Sequence, residues 1–410
     1  MSAPASLGLD PTRAVDPAGY AMSGRAPHAA VRPETREELA EALRAATRDG
    51  LGVVPWGGGV ALSREPAPER FDVALDMSGL KRVAVYDPDD YTVTVECGIT
   101  IDDLRATLAA KGQELPLEAA ESWGATLGGV LAANASGPRR RTFGAPRDRI
   151  LGASFVTGDG VLAKTGGRVV KNVAGHAVHR LLVGSRGALG VIAQASLKLL
   201  PQPPARAALA WGCDAVTLAG AARWRDWPRR EPVALTVVGR AIAAKNPVLA
   251  ADAPFTVVAG FEDDGAWVED CVEFARRSLG TPRVRVSHSS VLVLWQQVAD
   301  MEELPGPRLT FTTAANTPEA IAFLSGRPVA ERLVFHAPCG RLHVWPSGTE
   351  AAALVKELAG RGFALLEARG VAVRTPHQAE AIRSALRVAL DPGGTLALGA
   401  AWASEGTPAR

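Results

Sequence analysis

Cysteine is scarce in this chain: Cys97, Cys213, Cys271 and Cys339 are its four, and no two form a C-x-x-C pair. That spacing argues against a zinc site or an iron–sulfur cluster built from this chain alone. A disulfide framework is equally unsupported at this density. No apolar run reaches the roughly 18 residues that a membrane-spanning helix needs. The first thirty residues lack a basic end followed by an apolar stretch, so no signal peptide is expected and a reducing cytoplasm is the default compartment. Lysine is also sparse, at seven residues, and the net charge is only +2. The basic footprint of a nucleic-acid binder is therefore missing.

What the chain does have is apolar mass and turns. Hydrophobic residues make up 47% of the 410 positions, ample for a sizeable core, and 42 glycines with 29 prolines imply many tight connections. The length suggests two or three domains. Residues 1–30 read as an irregular lead-in. Pro33 then opens a helix whose apolar stripe is Leu39, Ala42, Leu43 and Ala46, ended by Gly50. Val53–Trp56 reads as a short buried strand, and Phe71–Asp76 and Thr92–Cys97 as further strands. Thr100 caps a helix running to Ala110, with Asp103 at its third position.

A second α/β lobe follows, with a helix over Thr126–Asn134. Leu151–Thr157 and Val161–Lys164 flank Gly158-Asp159-Gly160 as a hairpin. Val191–Leu199 is a strong strand, and Pro201, Pro203 and Pro204 mark a domain boundary. Beyond it, strands at Val233–Val238, Phe255–Phe261, Leu309–Thr312, Leu333–His336 and Leu342–Trp345 alternate with helices at Gly265–Leu279, Thr317–Leu324, Ser347–Gly360 and Pro376–Leu390. This predicts an antiparallel sheet with helices on one face.

Three glycine-rich segments carry chemistry. In Pro55-Trp56-Gly57-Gly58-Gly59-Val60-Ala61 a strand runs into three glycines, whose converging amides can cradle a phosphate. A plain turn is the alternative. In Ala125-Thr126-Leu127-Gly128-Gly129 two glycines occupy a first helical turn, where each costs about 1 kcal/mol relative to alanine. Either an anion at the helix N-terminus or close helix–sheet packing explains them. In Gly184-Ser185-Arg186-Gly187-Ala188-Leu189-Gly190-Val191-Ile192 glycines lead into a strand whose backbone could hold a planar heterocycle. None of the three is a G-x-G-x-x-G dinucleotide fingerprint.

In combination, the order and spacing of these segments resemble the PCMH-type FAD-binding domain of the vanillyl-alcohol-oxidase superfamily, over roughly 32–201 with a short return near Asp391-Pro392. Gly167-Arg168-Val169-Val170-Lys171-Asn172-Val173-Ala174-Gly175 and Ala132-Ala133-Asn134-Ala135-Ser136-Gly137 narrow the resemblance to the FAD-binding E subunits of bacterial glycolate oxidases. The resemblance implies an α+β chain. A two-lobed α/β FAD-binding domain over 31–205 (lobes about 31–115 and 116–205) precedes a smaller α+β cap over 206–390, and 391–410 return to the first domain. It implies that Pro55, Trp56, Gly57, Gly58, Gly59, Val60 and Ala61 wrap the pyrophosphate. Thr126, Gly128, Gly129 and Asn134 complete the cradle, Pro116 begins the loop that leads to it, and Gly187, Gly190, Val191 and Ile192 line the adenine and flavin side. Val60-Ala61 stand where relatives with covalent flavin often carry His, so a noncovalent FAD is expected. His176-Ala177 replace a usual Tyr-Asp, and Thr395–Gly399 replace a usual Asn-Pro-Gly-Arg. The expected activity is participation in oxidising a 2-hydroxy acid such as glycolate. Electrons would pass to oxygen, a quinone or an iron–sulfur partner subunit; the resemblance favours the last, in a complex with a second flavoprotein, and any membrane contact would be made through such partners. A flavin-binding assembly role and a stand-alone alcohol or sugar oxidase are the alternatives.

Other residues have two readings. His176 is a candidate acid–base or substrate contact, and His179 a weaker one. Lys171 could stabilise negative charge on reduced flavin, or it is an exposed strand-end lysine. Arg139-Arg140-Arg141 reads first as a solvated loop. His336 and His343 flank Cys339 without a standard metal spacing, and read first as sheet-face histidines with no metal.

Overall fold

The computed structural model describes residues 7–62, 67–118, 124–169, 176–214, 230–250, 252–313, 322–347, 350–369 and 380–398. The chain is of the mixed α+β class and divides into two compact units. The first comprises Met1–Ser136, Gly144–Gln202 and His377–Glu405; the second comprises Gly137–Phe143, Pro203–Pro376 and Gly406–Arg410.

In the first unit, β1 (Ala14–Val15), β2 (Ala29–Val31), β3 (Val53–Trp56) and β4 (Val73–Asp76) form a sheet in the order β1-β2-β4-β3. β4 runs parallel to both of its neighbours. The helix Arg36–Arg48 packs Leu39, Ala42, Leu43 and Ala46 into the core on this sheet. Its cap is Thr35, whose hydroxyl accepts the Glu38 amide at 3.1 Å, so the helix begins after Pro33 rather than at it. The lead-in is not irregular throughout. Asp10 and Asp16 cap short 3-10 turns, and Leu7 and Met22 are buried in the core.

The second sheet of this unit is antiparallel. It uses β5 (Val83–Asp87) and β6 (Thr92–Glu96), while the short β7 (Gln113–Glu114) lies outside it. β8 (Ile150–Val156), β9 (Leu162–Gly166) and β10 (Val191–Lys198) complete the order β5-β6-β10-β8-β9, and β11 (Leu200–Pro201) pairs with β7. The expected hairpin is β8–β9. Because β6 pairs along its length with β10, the break between the sheets falls after β4, earlier than the expected lobe boundary near 115. The cause is the alternation of Val93 and Val95, which bury one face of β6 in the same cluster as Ala195 and Leu197 of β10.

The C-terminal return joins the first sheet. The Val53 amide donates to the Thr395 carbonyl at 2.7 Å, and the Ala397 amide to the Val53 carbonyl at 2.9 Å. Asp391 accepts the amides of Thr395 and Leu396 at 2.8 and 3.2 Å, and Leu396 is fully buried. The replacement of the usual C-terminal sequence has therefore not removed this contact. The helix Glu380–Leu390, assigned to the cap from the sequence, belongs to the first unit, where Leu386 and Leu390 pack on its second apolar cluster.

The second unit holds one antiparallel sheet of eight strands: β12 (Ala205–Cys213), β13 (Ala234–Gly239), β14 (Phe255–Asp263), β15 (Val284–Ser287), β16 (Arg308–Thr313), β17 (Leu333–His336), β18 (Arg341–Val344) and β19 (Phe363–Arg369). Their order is β15-β12-β14-β13-β17-β18-β16-β19. Helices Gly265–Leu279 and Ala351–Ala359 cover one face, over Phe261, Phe311 and Phe335. The sequence predicted helices on that face alone. The helix Ser289–Glu302 covers the other, with Val291, Leu294, Trp295 and Val298 buried at helical spacing. Gly260 permits this packing, since a Cβ there would lie 2.1 Å from the Trp295 ring.

The arginine run is not a solvated loop throughout: Arg140–Phe143 is a short helix with Arg141 exposed, and only Arg139 is sequestered. Arg139 is buried, and its Nη1 donates to both carboxylate oxygens of buried Glu262 at 3.0 and 2.8 Å. Its guanidinium also lies 5.2 Å from the Phe143 ring centroid.

Candidate functional site

The three glycine segments, far apart in sequence, meet in the first unit. β3 ends at Trp56 and the chain turns at Gly57-Gly58-Gly59, with Gly59 in the left-handed region at φ +76°. A Cβ on Gly57 would lie 2.1 Å from the Thr126 hydroxyl, and one on Gly58 would lie 1.8 Å from the Gly124 carbonyl oxygen. Glycine at 57 and 58 is thus what lets the first segment touch the second. The third segment closes on both. A Cβ on Gly187 would lie 3.5 Å from Pro55, while the amides of Gly184 and Arg186 donate to the carbonyls of Leu131 and Ala132 at 3.0 and 2.9 Å.

The second segment contributes differently from the expected helix N-terminus. Thr126 caps the helix Leu127–Ala133, and its Oγ1 accepts the Gly129 amide at 3.3 Å. The amides of Leu127 and Gly128 donate to the carbonyls of Ile99 and Cys97 at 2.9 and 2.7 Å. Those donors are committed to protein. Gly128 answers to close packing, because a Cβ there would lie 2.9 Å from the Cys97 carbonyl oxygen. By contrast, among the described residues the amides of Gly58 and Gly59 make no hydrogen bond and no atom lies within 4 Å of where a Gly124 Cβ would stand. Asn134 ends the helix in the left-handed conformation at φ 51°, and its Oδ1 is buried without a partner among the described residues. Free turn amides suit an anion, and an orphan acceptor suits a hydroxyl or amide donor. The site fits a dinucleotide with a pyrophosphate.

Val191 and Ile192 start β10 with their side chains in two different apolar clusters, so only their backbone could face a ligand. Gly190 has φ +147°, and Pro116 is buried. His176 is exposed, and its carbonyl accepts the Thr165 hydroxyl at 3.3 Å. The next histidine, His179, is buried, and that burial lowers its pKa. Lys171 lies outside the described residues.

Residues not anticipated from the sequence line an open cleft of about 500 Å³ at the carboxyl ends of β3 and β4, beside Gly57. Buried Asp76 accepts the Tyr20 hydroxyl at 2.7 Å, the Arg32 Nε at 2.6 Å and the Ser78 amide at 2.9 Å. Burial opposes its charge, and these donors hold its carboxyl below the usual range. The Tyr20 ring meets Trp56 edge-on at 5.4 Å. No local sequence signal joins residues 20, 32 and 76; only the sheet order does.

In the second unit, His336 and His343 meet buried Glu302 of the helix Ser289–Glu302. The Nε2 atoms lie 2.8 and 3.1 Å from its two carboxylate oxygens. The Nδ1 atoms lie 2.8 Å from the Thr236 hydroxyl and 3.1 Å from that of Thr310. The three ligand atoms lie within 4.8 Å of one another, a donor set that could hold a divalent ion. Cys339 is not part of it. Burial opposes the Glu302 charge, yet the two imidazoles hold its carboxyl well below the usual range. Burial pushes the His343 imidazole down to about 4.

Against known proteins, residues 27–166 match the FAD binding domain family. The chain thus carries an FAD-binding domain of the PCMH type, and relatives that match over this part include proteins named glycolate oxidase subunits and D-lactate dehydrogenases. Glycolate oxidase subunit GlcE of Escherichia coli (strain K12) is 41% identical over 137 residues, 33% of this chain and 39% of that protein. Glycolate oxidase subunit GlcD of Bacillus subtilis (strain 168) is 32% identical over 184 residues, 45% of this chain and 39% of that protein. The mitochondrial D-lactate dehydrogenase [cytochrome] of Arabidopsis thaliana is 33% identical over 177 residues, 43% of this chain and 31% of that protein. The matches therefore span between 31% and 39% of these relatives' lengths. In three dimensions the chain superposes on alkyldihydroxyacetonephosphate synthase with a TM-score of 0.68, covering 96% of this chain and 84% of that one. At 17% identity this likeness is one of fold. No described helix is long and apolar enough to cross a membrane.

Proposed function

We propose that this chain is an FAD-dependent oxidoreductase subunit that takes part in oxidising a 2-hydroxy acid such as glycolate. The observation that carries the reading is the meeting of Gly57-Gly58 with Gly124–Thr126 in a domain shared with glycolate oxidase subunits. Amino-acid side chains cannot accept a hydride; FAD supplies that capacity when bound. Residues Pro55–Ala61 would hold the pyrophosphate, with Gly58 and Gly59 donating amides. Pro116, Thr126, Gly128, Gly129 and Asn134 would shape the second wall of that cradle, and Gly187, Gly190, Val191 and Ile192 the remainder. Val60-Ala61 offer no side chain for a covalent link, so the flavin is held noncovalently. The four cysteines have no cluster spacing, so electrons leave to oxygen, a quinone or an iron–sulfur partner; the likeness to glycolate oxidase subunits favours the last, in a complex with a second flavoprotein.

A flavin-binding assembly role is the second reading. It is favoured by exposed His176 followed by Ala177, in place of the Tyr-Asp that the resemblance leads one to expect there. Purified protein should be yellow, and acid precipitation should release all the flavin into the supernatant. Anaerobic absorbance spectra with a panel of 2-hydroxy acids, taken alone and with co-purifying partners, separate the readings. Bleaching by the isolated chain supports catalysis without partners, and bleaching only in complex supports a subunit that acts together with its partners. Bleaching in complex that is indifferent to His176→Ala favours the assembly role.

A further inference from the structure

We propose that Tyr20 is a positioning residue of the cofactor cradle: anchored on Asp76, it braces the Trp56 indole against the Gly57–Gly59 turn; this rests on the FAD reading above. Tyr20 precedes residue 27, where the match to the FAD binding domain family begins, so the brace reaches the cradle from outside the matched stretch. Tyr20, Trp56, Gly59 and Asp76 all lie in the first unit.

Trp56 and Asp76 are register partners at the carboxyl ends of parallel β3 and β4, on the face that Val54 and Ala74 bury two residues earlier. Side chains alternate along a strand, so the indole and the carboxylate stand side by side. Tyr20, itself buried, closes on both. Its hydroxyl donates to Asp76 Oδ2 at 2.7 Å, and its ring meets that of Trp56 edge-on, with centroids 5.4 Å apart. The carboxylate is fixed in turn: Oδ2 also accepts Arg32 Nε at 2.6 Å, and Oδ1 accepts the Ser78 amide at 2.9 Å. Hydrogen bonds to a charged acceptor are stronger than neutral ones, and an edge-on ring pair has a preferred geometry. The Tyr20 ring cannot leave the indole without its hydroxyl leaving Asp76.

The indole in turn carries the glycine turn. A Cβ on Gly59 would lie 3.0 Å from Trp56 Nε1 and 3.1 Å from Cε2 and Cζ2, so the Gly59 backbone, at φ +76°, rests directly on the ring. A shift of the ring moves the peptides that carry the Gly58 and Gly59 amides. Donors held in place before binding hold a ligand better than donors that must be ordered by it. Tyr20, Trp56 and Gly57 line one cleft, so brace and turn border the same space.

The test is titration of the full chain, stripped of flavin, with FAD, and competition by ADP, which carries a pyrophosphate, and by adenosine, which carries none. Wild type should bind ADP more tightly than adenosine. Y20L, which removes ring and hydroxyl, should weaken FAD about 10- to 100-fold and bring the ADP and adenosine affinities together. Y20F keeps the ring and loses the anchor. It should weaken FAD about 3- to 10-fold with the same selectivity, and it decides the matter if Y20L fails to fold. FAD and ADP affinities in both variants equal to wild type overturn the brace. So does a loss shared equally by ADP and adenosine, which marks Tyr20 as part of the core alone. In either case wild type still binds FAD, and the cofactor reading stands. Wild type that binds neither FAD nor ADP overturns that reading and the brace with it.

Discussion

Gly57 and Thr126 stand so close that a single added carbon on the glycine would lie 2.1 Å from the threonine hydroxyl. That oxygen also caps the helix Leu127–Ala133. One contact therefore joins the end of a parallel strand to the cap of a helix. Gly57→Ala must push these apart, and the loss should appear first in the cofactor. The variant should purify with little or no flavin, read from its absorbance, and should lose the thermal stabilisation that added FAD gives wild type. For wild type that gain is about 2.7 kcal/mol at a hundredfold excess over Kd. Full flavin occupancy in the variant would show that the turn does not shape the site.

The return strand sets β3 from its outer side. Thr395 and Ala397 bracket Val53, and Asp391 holds the amides that turn the chain back. Burial raises the Asp391 carboxyl above its ordinary value. Asp391→Ala leaves two buried amides without acceptors, at about 1–3 kcal/mol each. A lower urea midpoint with weakened FAD retention is expected. The same change should leave the hydrogen-exchange protection of β16 to β18, in the second unit, unaltered.

Arg139 and Glu262 form a buried pair, with Arg206 3.5 Å from the same carboxylate. Removing the shared carboxylate strands both guanidinium charges, so Glu262→Met should cost about 3–5 kcal/mol in chemical denaturation. Replacing Arg139 and Glu262 together with apolar residues should cost clearly less than the sum of the single changes. A purely additive double-mutant cycle would show that the pair is not coupled.

The Glu302 bridge gives a pH dependence of defined sign. His343 takes up a proton near pH 6.5 in the unfolded chain and only at about 4 in the folded one. Glu302 stays ionised in the fold below the pH at which it protonates when unfolded. Both make unfolding take up protons, so the stability they provide is complete above pH 6.5 and declines as pH falls towards 4. The His343 share is on the order of 3 kcal/mol. Melting temperature recorded from pH 7.5 to 4 should fall more steeply for wild type than for His343→Gln. Parallel curves would assign the acid sensitivity to other groups.

Much of the local structure was legible before any coordinates. Thr100, Thr126 and Gly50 act where their side-chain oxygens or lack of a Cβ predict, and the helix Gly265–Leu279 has the expected bounds. These features depend on neighbours within a few residues. The helix Ser289–Glu302 escaped notice because Val291, Leu292, Val293, Leu294 and Trp295 run together, and a continuous apolar run does not reveal its period.

For the site, the glycine segments and their order were in the sequence by themselves, and with them the family of the first domain. The segments' chemistry is that of backbone amides, which any glycine-rich turn can expose. Which amides remain free was decided only by the tertiary structure. Leu127 and Gly128 spend theirs on Ile99 and Cys97, whereas Gly58 and Gly59 do not spend theirs on any described residue. The same holds for side chains. Arg139 reads as one of three surface cations until Glu262, more than a hundred residues away, is brought within 2.8 Å of it. Likewise, Tyr20, Arg32 and Asp76 become one cluster only through the parallel order of β2, β4 and β3. Hydrogen bonds and charges act over a few ångströms of space, so their pairing follows sheet register rather than distance along the chain.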